Sequence, residues 1–258
     1  YETLFGAEAK KVAVSSTKTD DAAFAAKLVK AAKDMPDSPG LQVLIYEKAC
    51  QFGSTGPAGY DTALEALGLL ENAVPDKKDQ WRAKKFDIVK LRFDKSYGAA
   101  RKAAGQPYME MLEALADSHA AEGKGVEAIA FYKRAVMVAT YIRSPRSADI
   151  LAKSKRASAE IAREAKLKSL QAKLTADPKD TVARKELILF YVTALDNPAE
   201  AAKLLTDDLD EVTRTYVPLA AKSLDGLDEA ICLELGDWYH QKLSKNASIV
   251  EKSVVLLR

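Results

Sequence analysis

The most direct candidate for phosphate chemistry in this sequence is the glycine-rich stretch GSTGPAG, residues 53–59. A Walker-type loop has Lys followed by Ser or Thr directly after its last glycine, and glycine-rich nucleotide loops follow a β-strand. In this chain Tyr60 and Asp61 follow the last glycine, and both flanking segments have helical patterns. The sequence therefore predicts a turn between two helices at this point, not a phosphate-binding loop.

Histidine and cysteine, the usual metal ligands and nucleophiles, are rare and scattered. His119 and His240 are the only histidines, and neither has a second histidine or a carboxylate motif at the spacing of a metal site. Cys50 and Cys232 are isolated within helical patterns, so we expect packed thiols instead of a disulfide framework or a zinc site. No serine lies in a G-x-S-x-G elbow. The sequence predicts a non-catalytic protein without metal or cofactor.

Residues 77–102 combine lysines and arginines with aromatic side chains, which is a pattern of nucleic-acid-binding surfaces. In that interpretation Lys84, Lys85 and Arg92 form a basic face. Interspersed aspartates weaken its field, and the whole chain has a net charge of only +2. The other interpretation is an amphipathic helix with a packed apolar side, formed by Phe86, Val89, Phe93 and Tyr97. We favour the packed helix and keep nucleic-acid binding as the alternative.

Apolar residues recur at helical spacing along most of the chain, and no segment has the alternation typical of strands. Proline, glycine and aspartate interrupt this pattern at short intervals. The breaks predict about twelve helices, among them segments at about 20–35, 39–53, 59–73, 77–103, 106–121, 125–141, 144–174, 181–195, 210–223 and 225–245. No apolar run reaches the length needed to span a bilayer.

The clearest internal unit is residues 109–139, MEMLEALADSHAAEGKGVEAIAFYKRAVMVA. It resembles the tetratricopeptide repeat. The matching positions are Leu112, Leu115, Ala116 and His119 on the first helix, Gly123 in the turn, and Ala128, Tyr132 and Ala135 on the second helix. Thr140 departs from the pattern because the family usually has proline there. Partial repeats cover 41–75, 181–207 and 229–258, and segments of the chain are more loosely similar to uncharacterised helical-repeat regions of large planctomycete-type bacterial proteins.

The resemblance implies an all-α fold, in which antiparallel helix pairs stack into one right-handed superhelix (an α-solenoid) over residues 1–258. It also implies a protein–protein interaction or scaffolding module that binds a protein or peptide ligand. The ligand-facing side of the first helix in the clearest unit then consists of Glu110, Glu113 and Asp117. Members of the family that bind a C-terminal carboxylate need Lys and Asn on this side. We therefore expect a basic or neutral ligand here, unless the three carboxylates are only a solvated helix face.

The last partial repeat, 229–258, begins a second helix at about Ala247 and stops within it. The apolar side chains of 249–257 would normally be covered by a following helix. We therefore expect the chain to be a fragment of a longer protein, and we expect this helix either to associate with a second copy or to fray.

Overall fold

The structure, a computed structural model, describes residues 1–223 and 226–243. All regular elements within these two ranges are helical and none is a strand, which confirms the all-α fold class. The segment 249–257, for which we expected self-association, lies outside the described residues.

Twelve α-helices are present in the described ranges, in agreement with the predicted number. They are α1 (Glu2–Ala13), α2 (Lys18–Lys33), α3 (Pro39–Gly53), α4 (Tyr60–Ala73), α5 (Lys78–Lys95), α6 (Gly98–Ala121), α7 (Gly125–Ile142), α8 (Ser147–Ala176), α9 (Thr181–Thr193), α10 (Pro198–Ala202), α11 (Glu211–Ala220) and α12 (Glu229–Asp237). Short 3-10 turns at Pro57–Gly59 and Pro75–Lys77 precede α4 and α5, and a π-helical turn at Trp238–Leu243 follows α12. The sequence analysis did not predict α1.

The chain divides into two compact units, Tyr1–Ala157 and Ser158–Arg258, and the boundary lies inside α8. A stack of helix pairs can divide in this way as readily as a chain with two separate domains, because each unit packs mainly on its neighbours. One continuous domain over residues 1–258 therefore stays a prediction.

In the first unit, each helix from α1 to α7 packs against the next one in the chain, and α2 also packs against α4. Two groups of buried side chains fill the spaces between these helices. The first group includes Leu28, Ile45, Leu67, Leu70 and Trp81, and the second includes Tyr108, Met109, Leu112, Tyr132 and Ile150. The second group joins α5, α6 and α7 to the beginning of α8.

Helices α6 and α7 form an antiparallel hairpin. The turn between them contains Gly123 with a φ of +74°, a conformation that glycine adopts without strain. Next to the turn, the Tyr132 hydroxyl donates to Asp117, and at the far end Gly105 lies against Ile142. A Cβ atom on Gly105 would lie 2.4 Å from Cγ2 of Ile142, so only glycine allows this approach of the two helices.

The break between α5 and α6 lies elsewhere than predicted. The sequence analysis predicted helices at 77–103 and 106–121, whereas α5 ends before Ser96 and α6 runs without interruption from Gly98 to Ala121. Gly98 has a φ of +56° and forms the actual break. Pro107 lies inside α6, although proline usually ends or bends a helix.

The second unit also has neighbour-by-neighbour packing, of α9 with α10, α10 with α11 and α11 with α12. Three of its helices begin with a side-chain cap. Asp180, Asn197 and Asp210 each accept a hydrogen bond from the backbone N–H three residues later. Such caps satisfy backbone donors that the first helical turn leaves free. The main buried side chains are Ile188, Val192, Ala201, Val217, Trp238 and Tyr239.

The close packing of the hairpin leads to a stability prediction. Ala128 on α7 is fully buried, so we expect Ala128→Leu to overpack the hairpin and lower the free energy of unfolding by about 1–3 kcal/mol. Ala130 is exposed on the same helix, and Ala130→Leu should change the free energy of unfolding by less than about 0.5 kcal/mol. Urea denaturation followed by circular dichroism measures both changes. Equal stability of the two variants would contradict the predicted register of α7.

Candidate partner-binding surfaces

Two of the three predicted partner-binding carboxylates belong to an ion-pair network between α6, α7 and the beginning of α8. Glu113 is only 6% exposed and accepts hydrogen bonds from Nη2 of Arg146 at 2.6 Å and from Nζ of Lys153 at 2.9 Å. The same Nζ contacts the Asp117 carboxylate at 2.8 and 3.0 Å. The Tyr132 hydroxyl donates to Asp117 at 2.5 Å. The network thus connects three helices through charged hydrogen bonds.

These contacts determine how the network ionises. Burial alone would raise the pKa of Asp117, but the hydrogen bonds from Lys153 and Tyr132 outweigh it and hold that pKa below its ordinary value. Burial and the hydrogen bond to Asp117 raise the pKa of Tyr132 to about 12. At neutral pH Asp117 is therefore ionised, and the Tyr132 hydroxyl keeps its proton and remains a donor.

The three predicted residues do not form one free acidic face. Glu110 is exposed, and its carboxylate accepts a hydrogen bond from Nε2 of Gln106 at 2.6 Å. Glu113 is neither solvated nor open, because Arg146 and Lys153 neutralise it from within the chain. A role of these carboxylates in partner binding stays a prediction, and a basic ligand would have to displace both cations. Helical periodicity does not reveal such pairs between residues distant in sequence.

The proposed basic face on α5 is also partly occupied. Arg92 forms an ion pair of 2.5 Å with Asp61 of α4, and Nζ of Lys84 lies 5.0 Å from the centre of the Trp81 ring. Lys85 is half-buried. On the same helix Val89 and Phe93 are buried, as the packed-helix interpretation predicts. Tyr97 was predicted to pack with them, which is wrong: it is 80% exposed because α5 ends at Lys95.

The sequence analysis missed a second cationic surface, where arginines of α6 and α7 stack on tyrosines. The guanidinium carbon of Arg101 lies 4.6 Å from the centre of the Phe93 ring and 5.4 Å from that of Tyr141. The guanidinium carbon of Arg134 lies 5.5 Å from the centre of the Tyr108 ring. We call Arg101, Tyr108, Arg134 and Tyr141 the arginine–tyrosine face. The sequence signal for this face was an arginine followed by a tyrosine seven residues later, which occurs once in each of the two helices.

Other predicted sites have structural roles. Residues 53–59 form a turn between α3 and α4, as predicted, and Gly53 and Gly59 lie too close together to allow a Cβ on either. His119 stacks on the Phe131 ring with a centroid distance of 5.3 Å. Cys50 is buried beside an open groove of about 670 Å³ between α3 and α5, and burial raises the pKa of its thiol. The groove carries both acids and bases, including Glu47, Lys48 and Lys84, so its charge indicates no particular ligand.

In the second unit, the Asp210 cap of α11 is also an ion-pair partner. Its carboxylate accepts from Nζ of Lys185 at 2.5 Å and from the backbone N–H of Thr213 at 3.0 Å. Burial alone would raise the pKa of Asp210, but these hydrogen bonds lower it to about 2. Lys185 is thus engaged within the chain and fixes α9 to the start of α11.

Comparison with known proteins finds no family model, no curated protein and no solved structure that matches this chain. Within residues 1–223 and 226–243, no three His, Cys, Asp or Glu side chains are grouped in a way that would hold a metal ion. None of the described helices is both long and apolar enough to cross a membrane.

The ion-pair network predicts unequal effects of removing carboxylate charges from α6. Glu113→Gln leaves two cations without their buried partner, and we expect it to lower the free energy of unfolding by about 1–3 kcal/mol. This range is below that of a fully buried pair because Arg146 and Lys153 are partly exposed. Glu110→Gln, one turn away, should change the free energy of unfolding by less than about 0.5 kcal/mol. Urea denaturation at neutral pH measures both values, and equal losses would refute the network.

The low pKa of Asp210 predicts a contribution to acid sensitivity. Ionised Asp210 stabilises the folded state above about pH 4, and this stabilisation is lost as the pH falls toward about 2. Asp210→Asn keeps a good helix cap but removes the charge. We therefore expect the stability difference between wild type and Asp210→Asn to shrink over this interval. Denaturation curves at a series of pH values measure that difference, and a constant difference would contradict the lowered pKa.

Proposed function

We propose that this chain is a non-catalytic protein–protein interaction module, built as a right-handed stack of antiparallel helix pairs similar to tetratricopeptide-repeat proteins. The observation that supports this best is the packing of α1 to α7, in which each helix contacts the next one in the chain. Stacks of this kind expose extended surfaces whose side chains vary without disturbing the fold. The function is inferred from architecture, since architecture of this type serves mainly for binding.

The α6–α7 hairpin gives the proposal its most specific support. Ala128, Tyr132 and Ala135 are buried against α6, where the small–aromatic–small pattern of the repeat would put them. The turn glycine and the antiparallel direction agree with the same pattern. The burial of these three side chains supports the proposal that the hairpin is a repeat unit.

Several large apolar side chains remain on the surface of the first unit, which also favours a binding role. Val126, Met137 and Tyr141 on α7 are 71%, 66% and 43% exposed. Methionine and tyrosine are enriched in protein interfaces, whereas isolated exposed apolar residues are common on any surface. Because three such side chains lie on α7, we infer that this helix contacts the partner.

An unbiased peptide selection tests the proposal. The folded chain is immobilised and used to select from a displayed library of helical and extended peptides, and selected peptides are then measured in solution by fluorescence polarisation. We expect at least one sequence class to bind with a Kd in the micromolar range, as is usual for transient recognition. A short DNA duplex is measured in parallel. The proposal is refuted if no peptide binds more tightly than about 1 mM, or if only the DNA binds.

A further inference from the structure

Helices α6 and α7 exchange arginine–tyrosine contacts in a reciprocal way. Because the hairpin is antiparallel, Arg101 of α6 meets Tyr141 of α7, and Arg134 of α7 meets Tyr108 of α6. In each helix the two positions are separated by seven residues, which is close to two turns. Along the hairpin the two guanidinium groups therefore lie about 10 Å apart.

Both guanidinium groups lie against aromatic rings, and no carboxylate among the described residues pairs with either of them. Neither Arg101 nor Arg134 takes part in an ion pair with any residue that the structure describes, whereas Arg92, Arg146 and Arg163 all do. Nε of Arg101 is buried and has no hydrogen-bond acceptor. Leaving a buried donor unsatisfied has a free-energy cost.

Stacking also prepares these arginines for binding. Contact with an aromatic ring restricts the movement of a guanidinium group, so less side-chain entropy is lost when its N–H groups meet an acceptor. The planar fork of N–H donors matches the two oxygens of a carboxylate. The face therefore offers two oriented anion-binding groups at a defined spacing.

Apolar surface lies between the two cationic groups. Met137 is 66% exposed and lies three residues after Arg134 and four before Tyr141, on the same side of α7. Tyr141 is itself 43% exposed. Arginine, tyrosine and methionine together form the composition that is enriched at the centres of protein interfaces.

We propose that the arginine–tyrosine face binds an acidic amphipathic helix of a partner protein. Two carboxylates of that helix, about seven residues apart, pair with Arg101 and Arg134, and apolar side chains between them cover Met137. This proposal rests on the proposed interaction function and adds the chemistry of the partner. It concerns a different surface from the carboxylates of α6, which are engaged with Arg146 and Lys153.

A protein partner fits this face better than a nucleic acid. Nucleic-acid affinity depends on many unpaired cations along the phosphate backbone. On α5, which borders the face, Lys90 is paired with Asp94 and Arg92 with Asp61. An exposed methionine between the two arginines also suits an apolar side chain better than a phosphate backbone.

A designed peptide tests the inference with the full chain. The probe is a helical peptide with two glutamates about seven residues apart and leucines between them, and its control has lysines at the glutamate positions. Fluorescence polarisation gives the Kd of each peptide for wild type, Arg134→Gln, Arg101→Gln and Arg101→Lys. Lys133→Gln is the matched control, since Lys133 is an exposed cation beside Arg134. Thermal unfolding checks that each variant is folded.

We expect wild type and Lys133→Gln to bind the glutamate peptide alike and to bind the lysine peptide at least about tenfold more weakly. Arg134→Gln should weaken binding about tenfold or more, and Arg101→Lys should do so although it keeps the charge. Arg134 is exposed, so its variant remains informative if Arg101 variants do not fold.

Three outcomes overturn the inference. The first is equal affinity of wild type and Arg134→Gln for the glutamate peptide. The second is a loss of affinity in Lys133→Gln as large as the loss in Arg134→Gln. The third is tighter binding of a short DNA duplex than of the peptide, lost in Arg134→Gln. If selected library peptides bind but do not depend on Arg101 or Arg134, this inference fails while the proposed function stands. If no peptide binds, the proposed function itself fails.

Discussion

The close approach of α6 and α7 is the contact on which the surfaces of the first unit depend. Gly105 and Ala128 leave room for the helices to touch, and Tyr132 fills the space beside them. This packing sets the antiparallel register that brings Arg101 to Tyr141 and Arg134 to Tyr108. A shift of one residue would turn each side chain by about 100° and separate these pairs. The packing of the hairpin core therefore also determines which side chains meet on its surface.

Charge in the first unit is distributed according to this packing. The buried carboxylate of Glu113 needs compensation, and Arg146, directly before α8, and Lys153, in its second turn, supply it. Both cations and both carboxylates are then engaged inside the chain. Arg101 and Arg134 lie against aromatic rings and form no ion pair with any residue that the structure describes. Two of the three acids that the sequence suggested for binding, Glu113 and Asp117, are therefore engaged within the fold, and the arginines it did not suggest are the better candidates.

Much of the helical layout could be predicted from local sequence, but the α5–α6 break could not. Gly105 and Pro107 are usual helix breakers, and from sequence they suggested a boundary near 104. In the structure Gly105 serves a tight contact with Ile142 instead, and the boundary lies at Gly98. Local propensity is weak enough for tertiary packing to override it. The exposure of Tyr97 follows from the same displacement.

The sequence by itself determined the all-α class, most helix limits and the small–aromatic–small core of α7. These features depend on residues within a few positions of one another, so periodicity and capping rules suffice. Only the tertiary structure decided that Glu113 is neutralised, and that Arg101 and Arg134 form no ion pair with any described part of the chain. Ion pairing depends on which residues meet across distant parts of the chain, and that is set by how whole helices pack.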